Sequence, residues 1–197
     1  MNETIDKIPK VRLEAFSDGV IAILITIMVL ELRPPEDITL EALKPLLPTF
    51  FSYLLSFIYL AIYWNNHHHM LHATKYINGR IMWANLHLLF WLSLFPFATA
   101  WLGKTNAAAW PMALYGTIFL GASFAYLILQ NAIIGCQGEN SLLARALGST
   151  WKEKLSPLCY LTAIGFAFIA PWVSISLYIF VALLWIVPDT RIESLVK

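Results

Sequence analysis

Six apolar runs, each close to the length that crosses a bilayer, leave this chain of 197 residues few ways to fold. A span needs about 17–25 predominantly apolar residues to cover a ~30 Å hydrocarbon core as an α-helix. The runs lie at 12–32, 46–67, 81–102, 110–134, 155–170 and 171–187. The last two are almost continuous, and one helix of that extent would be ~50 Å long at 1.5 Å per residue. A tight hairpin at Ala170-Pro171-Trp172 resolves the excess, with proline opening the new helix and tryptophan at the interface. The reading is all-α: a polytopic membrane protein of six transmembrane helices in one domain, 1–197, without a low-complexity linker or an internal repeat.

Composition agrees. Only 13% of residues are charged, against roughly 25% in a soluble domain. Eight Trp, eight Tyr and twelve Phe suit interfacial belts. A net charge of +1 argues against nucleic acid as a partner. Cys136 and Cys159 lie beside apolar runs with no CxxC or His-paired motif, so both read as reduced structural residues. The charged start, MNETIDKIPKVRLEAFSDG, has no small-x-small cleavage site behind it and does not read as a removable signal peptide.

Loop charges supply an independent orientation. With the N-terminus cytoplasmic, ten of the thirteen basic residues fall inside (Lys7, Lys10, Arg12, Lys75, Arg80, Arg145, Lys152, Lys154, Arg191 and Lys197). Arg33, Lys44 and Lys104 fall outside. This bias follows the positive-inside rule and places both termini in the cytoplasm. In the fourth run, Gly121-x-x-x-Ala125 is a small-xxx-small pattern whose default use is packing inside the subunit.

The first run carries the most information. From Gly19 to Leu30 there are twelve apolar-side residues, ~18 Å of helix, too short to span alone. The span must borrow from its polar N-terminal side and draw Asp18, with Arg12, toward the inner leaflet or the bundle interior. A charge at a helix centre costs roughly 2.5–3.5 kcal/mol, less near the interface, so Asp18 needs a partner. Arg12 is six residues away, about 120° around the helix, and Glu14 carries the same charge. The expected donors are therefore on neighbouring helices: His67, His68, His69 and His72 at the inner end of the second, Asn85 and His87 early in the third. Such groups lock a bundle together whether or not they serve a pore. Along the rest of the helix, Gly19, Ile23, Thr26 or Ile27, and Leu30 share one face. Periodicity alone reads that stripe as core or lipid-facing.

The string Arg12-x-x-x-Phe16-Ser17-Asp18-Gly19 heading a short first helix closely resembles the hallmark of the transmembrane protein 175 family of potassium-permeable channels. Supporting matches are Trp64-x-x-His67-His68 at the end of the second run, and Asn85 with Leu94-x-Pro96-Phe97 in the third. One copy of the element resembles the prokaryotic single-repeat form, which the resemblance implies is a homotetramer with helix one lining the central pore. Carried over by distance from Asp18, Ile23, Ile27 and Leu30 would form the constriction. Thr26, with Ile23, would bear on selectivity. Arg12, Phe16, Ser17, Asp18, Gly19, Trp64, His67, His68, Asn85 and His87 would hold the helix-one scaffold. Without a TVGYG-like segment a carbonyl filter is not available, and an apolar collar that closes by narrowing and dewetting takes its place.

Rival readings have less in the sequence to rest on. His68 and His72 are four apart and could form a zinc pair, but the glutamate of HExxH is absent, so no metal site is assigned. No GxSxG, paired intramembrane carboxylates or nucleotide loop supports an enzyme. A secondary cation transporter would want inverted repeats or broken helices, and Pro96 is the single midspan proline. A weakly selective or proton-conducting channel stays open beside the potassium channel. The expectation is a multi-pass protein of the bacterial inner membrane whose partners are its own copies, the bilayer and monovalent cations. No cofactor is expected beyond permeant K⁺.

Overall fold

The structure, a computed structural model of the chain, describes residues 10–138 and 151–186. Each apolar run forms helix because, in lipid, a helix satisfies the backbone groups within one segment. The elements are α1 (Lys10–Val29), a 3₁₀ turn (Leu40–Leu46), α2 (Leu47–His72), α3 (Gly79–Ser93), α4 (Phe95–Lys104), α5 (Ala109–Gln137), α6 (Trp151–Phe166) and α7 (Pro171–Ile186). Together α3 and α4 make the third membrane-crossing segment, so six segments result among the described residues. Three of them, Leu40–His72, Gly79–Lys104 and Ala109–Gln137, are long and apolar enough to cross a membrane by length and composition. The charged N-terminal turns of α1 keep it out of that group, as its short apolar stretch requires.

Boundaries follow from local chemistry. After Val29, α1 unwinds through a turn at Leu30–Leu32 ahead of Pro34-Pro35, because a residue preceding proline disfavours the helical region. Asn78 caps α3 by accepting from the Ile81 amide at 3.0 Å. The hairpin stands where it was expected, with Pro171 the first residue of α7. Two expectations need correcting. The second run continues to His72 rather than ending near His67, so all four of its histidines are helical. The third run is not one helix over 81–102 but breaks at Leu94. Pro96 has no N–H to offer the carbonyl four residues back, and α4 restarts with proline in its first turn. Arg145, Arg191, Lys197, Lys7, Val187 and both chain ends lie outside the described residues.

Packing separates the bundle into two sides. α1 rests on α2, α3 and α4, while α6 and α7 pair with each other and with α5 and α2 on the far side. Close approach is set by small residues. A β-carbon on Gly121 would sit 2.4 Å from the Trp91 ring, and one on Gly103 would sit 2.6 Å from the Thr49 backbone. The core between the two sides is partly polar, and its hydroxyl groups are linked by hydrogen bonds. Thr99 donates to the Phe95 carbonyl at 2.6 Å. Ser56 can then donate to Thr99 Oγ1 at 2.6 Å, and Tyr115 to Ser56 at 2.7 Å. Tyr59 donates to the Tyr178 carbonyl and Tyr178 to the Met112 carbonyl, tying α2, α7 and α5 together.

Candidate functional site

The four residues Phe16-Ser17-Asp18-Gly19 point in four directions because successive helical residues turn by 100°. Ser17 is fully buried and donates to the Leu13 carbonyl one turn back at 2.8 Å. Its oxygen accepts from Asn85 Nδ2 of α3 at 2.9 Å. Asn85 Oδ1 in turn lies 2.7 Å from His67 Nε2 of α2. With the Asn85 amide nitrogen committed to Ser17, its oxygen must accept, so His67 carries its proton on Nε2. His67 Nδ1 is left as a buried acceptor with no partner among the described residues. One directed chain, His67 to Asn85 to Ser17 to Leu13, thus pins α1 against α2 and α3.

Asp18 is half-buried and faces α2, where Trp64 Nε1 donates to its Oδ1 at 2.9 Å. The expectation of a histidine or Asn85 as donor is corrected here. In the antiparallel register the residue opposite Asp18 is Trp64, and the histidines lie further along α2. One turn toward the start of α1, Glu14 Oε1 is 3.3 Å from His68 Nδ1. One turn further, Lys10 Nζ donates to the carbonyls of Leu71 and His72 at 3.1 and 2.9 Å. Lys10, Glu14 and Asp18 therefore form three rungs against the Trp64, His68 and His72 face. Trp64 and His72 stack on either side of His68, with ring centres 5.9 and 6.1 Å away. The rungs at Lys10 and Glu14 were missed from the sequence. The signal was present as Lys10-x-x-x-Glu14-x-x-x-Asp18 facing Trp64-x-x-x-His68-x-x-x-His72, two sets at four-residue spacing.

His87 is not brought to this network. It is exposed, and its ring accepts from Trp91 of its own helix at 3.1 Å. Two residues from Asn85 is 200° around α3, so the two cannot address the same neighbour. Arg12 is also exposed, on the outward face with Phe16 and Gly19. His69 meets His68 edge-on. Among the described residues no group of three or more metal-ligating side chains is arranged to hold an ion.

The outward face of α1 continues as Ile23 (57% exposed) and Ile27 (45%), with Leu30 (73%) in the turn just past its end, where the expected helix over 12–32 has already stopped. Its buried counterparts are Leu13, Ser17, Ile21, Leu24 and Met28. The reading of the stripe as the subunit's own core is therefore removed. Thr26 shares the outward face and donates its hydroxyl proton to the Ile23 carbonyl at 2.8 Å, which leaves the hydroxyl oxygen to act as an acceptor. Gly19 has no neighbour within 4 Å of where a β-carbon would stand. At the other end of α1, Glu31 pairs with Lys104 of α4 at 2.6 Å. Both ends of the helix are tied to the bundle while one face stays uncovered.

Residues 12–96, which hold this arrangement, match the family model described as endosomal/lysosomal potassium channel TMEM175. A potassium channel of a Chryseobacterium species is 53% identical over 188 residues, 95% of this chain and 98% of that one. A potassium channel of Chamaesiphon minutus is 30% identical over 179 residues, 83% of this chain and 87% of that one. The crystal structure of a lysosomal potassium-selective channel TMEM175 homolog from Chamaesiphon minutus matches with a TM-score of 0.77 at 27% identity. That match covers 91% of this chain and 97% of the other. A near full-length relative at this identity, together with the family match over α1 to α3, means that the chain belongs to the TMEM175 family.

Proposed function

We propose that this chain is one subunit of a homotetrameric potassium channel, a single six-helix domain over residues 1–197 whose α1 lines the central pore. The observation that carries the reading is the uncovered face of α1, with Ile23, Ile27 and Leu30 outward while the opposite face is held by buried hydrogen bonds. Four such faces around an axis would make a narrow apolar collar. A collar of that kind stops ions by excluding water and passes them when it widens. Thr26, one turn beyond Ile23, turns a hydroxyl oxygen whose proton is already used toward the same face, which suits a cation and not an anion. Backbone carbonyls of α1 are engaged in the helix, so selectivity rests on collar width and the Thr26 oxygens and is modest.

The relatives named as potassium channels supply the ion. Flow is passive and needs no cofactor. The basic residues at the shared end of α1, α2 and α3 (Lys10, Arg12, Lys75 and Arg80) favour placing that end in the cytoplasm of a bacterial inner membrane. In this reading Arg12, Phe16 and Gly19 sit at the inner mouth and contact neighbouring subunits, while Asp18, Trp64, His67, His68 and Asn85 hold the angle of the pore helix.

The test is a bi-ionic reversal potential of the purified protein in planar bilayers, with K⁺ on one side and Na⁺ on the other. A reversal displaced toward the K⁺ equilibrium potential, with the displacement altered by Ile23→Asn or Leu30→Ser, supports both the channel and its collar. Wild-type selectivity and conductance in both variants would remove α1 from the pore. Absence of current from well-folded protein would remove the channel reading itself.

A further inference from the structure

A second site lies away from α1, in a cavity between α2, α5, α6 and α7. Its walls are the rings of Tyr59, Tyr63, Tyr126, Tyr160 and Trp185, with the Glu153 carboxylate at one side. The cavity volume is about 50 Å³, room for a few waters at the ~10–15 Å³ each requires, or for a molecule of a few heavy atoms. Faces of tyrosine and tryptophan rings carry negative charge density and attract organic cations. The Trp185 N–H is turned away onto Ser156 Oγ at 2.9 Å, which leaves its ring to the site. The same ring already draws a cation of its own chain, with Lys152 Nζ 5.9 Å from its centre.

Among the described residues Glu153 Oε1 takes one hydrogen bond, from Gln130 Nε2, and that bond is long at 3.3 Å. Asn66 spends its amide nitrogen on the Ile62 carbonyl. A carboxylate and five aromatic rings in the lining suit a positive group bearing N–H donors. A bare K⁺ ion is a poor occupant, because the site offers one carboxylate in place of the oxygen shell that must replace hydration.

From this geometry we propose that each subunit binds a small primary ammonium group in this cage, with its N–H groups on Glu153 and its alkyl part against the tyrosine rings. The site is independent of the pore assignment. Two sources share the chemistry, a soluble alkylamine and the ethanolamine head group of a phospholipid.

The experiment is a thermal-unfolding titration of the intact protein in nanodiscs of phosphatidylglycerol at constant ionic strength, with propylammonium chloride as the probe. The expected result is a saturable rise in melting temperature that 1-propanol does not reproduce. Glu153→Gln should raise the half-saturating concentration by roughly tenfold, the effect of losing one charge-assisted hydrogen bond. Ser123→Leu fills the cavity from a position whose hydroxyl bonds only its own helix, and it should abolish the rise while the protein stays folded. No saturable rise, an equal rise with propanol, or a rise unchanged in both variants would each overturn the proposal. Repeating the titration with phosphatidylethanolamine in the disc separates the sources. A half-saturating concentration increased by the lipid identifies the head group as the competing occupant, and an unchanged one identifies a soluble amine.

Discussion

Ser17, Asn85 and His67 show how single residues hold a helix in a solvent that offers no water. Each is fully buried, and each is hydrogen-bonded to its neighbour in the chain of bonds. Asn85→Leu would strand the His67 N–H and remove the donor to Ser17, at about 1–3 kcal/mol for an unsatisfied buried group. Thermal unfolding in nanodiscs should register the loss as a lowered melting temperature, with Ser17→Ala showing a smaller drop. Thr26→Val makes the contrast. Its hydroxyl is exposed and bonds only its own backbone, so stability should stay within about 0.5 kcal/mol of wild type. If Thr26 faces permeating ions, the bi-ionic reversal potential should shift all the same. A melting change in Thr26→Val as large as that in Asn85→Leu would mean that α1 is not held as described. At this scale the sequence singled out Ser17, Asp18, Trp64, His67 and Asn85 but could not pair them. Pairing depends on the antiparallel register of α1 against α2, which no local pattern specifies. His87 was misassigned for a related reason, since proximity along the chain to Asn85 concealed a half-turn difference in direction.

Elements were easier to read than their joints. Apolar length located the six helical segments among the described residues. The break at Leu94 needed one more step, that Pro96 removes a helical donor at mid-span and frees α4 to lean across α1 and α2. The extension of α2 to His72 was hidden because polar histidines end the apolar run, while Lys10 satisfies the last carbonyls and prolongs the helix. The Gly121-x-x-x-Ala125 pattern served the purpose expected of it, close packing inside the subunit, with Trp91 of α3 lying flat on Gly121 of α5. Gly121→Ala would drive its new methyl group into that ring. The expected cost is about 1–3 kcal/mol, the range for overpacking. Trp91→Leu in the same protein should recover part of it. A double-mutant cycle by chemical or thermal unfolding checks this, and additivity of the two changes would show that α3 and α5 do not meet at this point.

At the scale of the whole molecule, α1 occupies the edge of its bundle, held on three sides by α2, α3 and α4, while α6 and α7 close the opposite side. Exposure of apolar residues is ordinary where lipid is the neighbour, so Ile23, Ile27 and Leu30 alone do not demand an interface. The same face, however, carries Arg12, Gly19 and Thr26, and that mixture fits lipid poorly. Polar and small positions interleaved with large aliphatic ones suit a helix that meets copies of itself around an aqueous axis. If so, every subunit contributes to one collar, and the effect of a collar substitution must depend on how many copies carry it. Wild-type and Ile23→Asn chains, co-expressed with different affinity tags and purified as mixed assemblies, should give a ladder of unitary conductances with one level per composition. Native mass spectrometry of the same sample should find four chains per particle in the proposed homotetramer. Only the two parental conductances in verified mixed assemblies would mean that Ile23 does not line a shared pore. A single chain per particle with current intact would move the conduction path inside the subunit and leave the outer stripe of α1 to lipid.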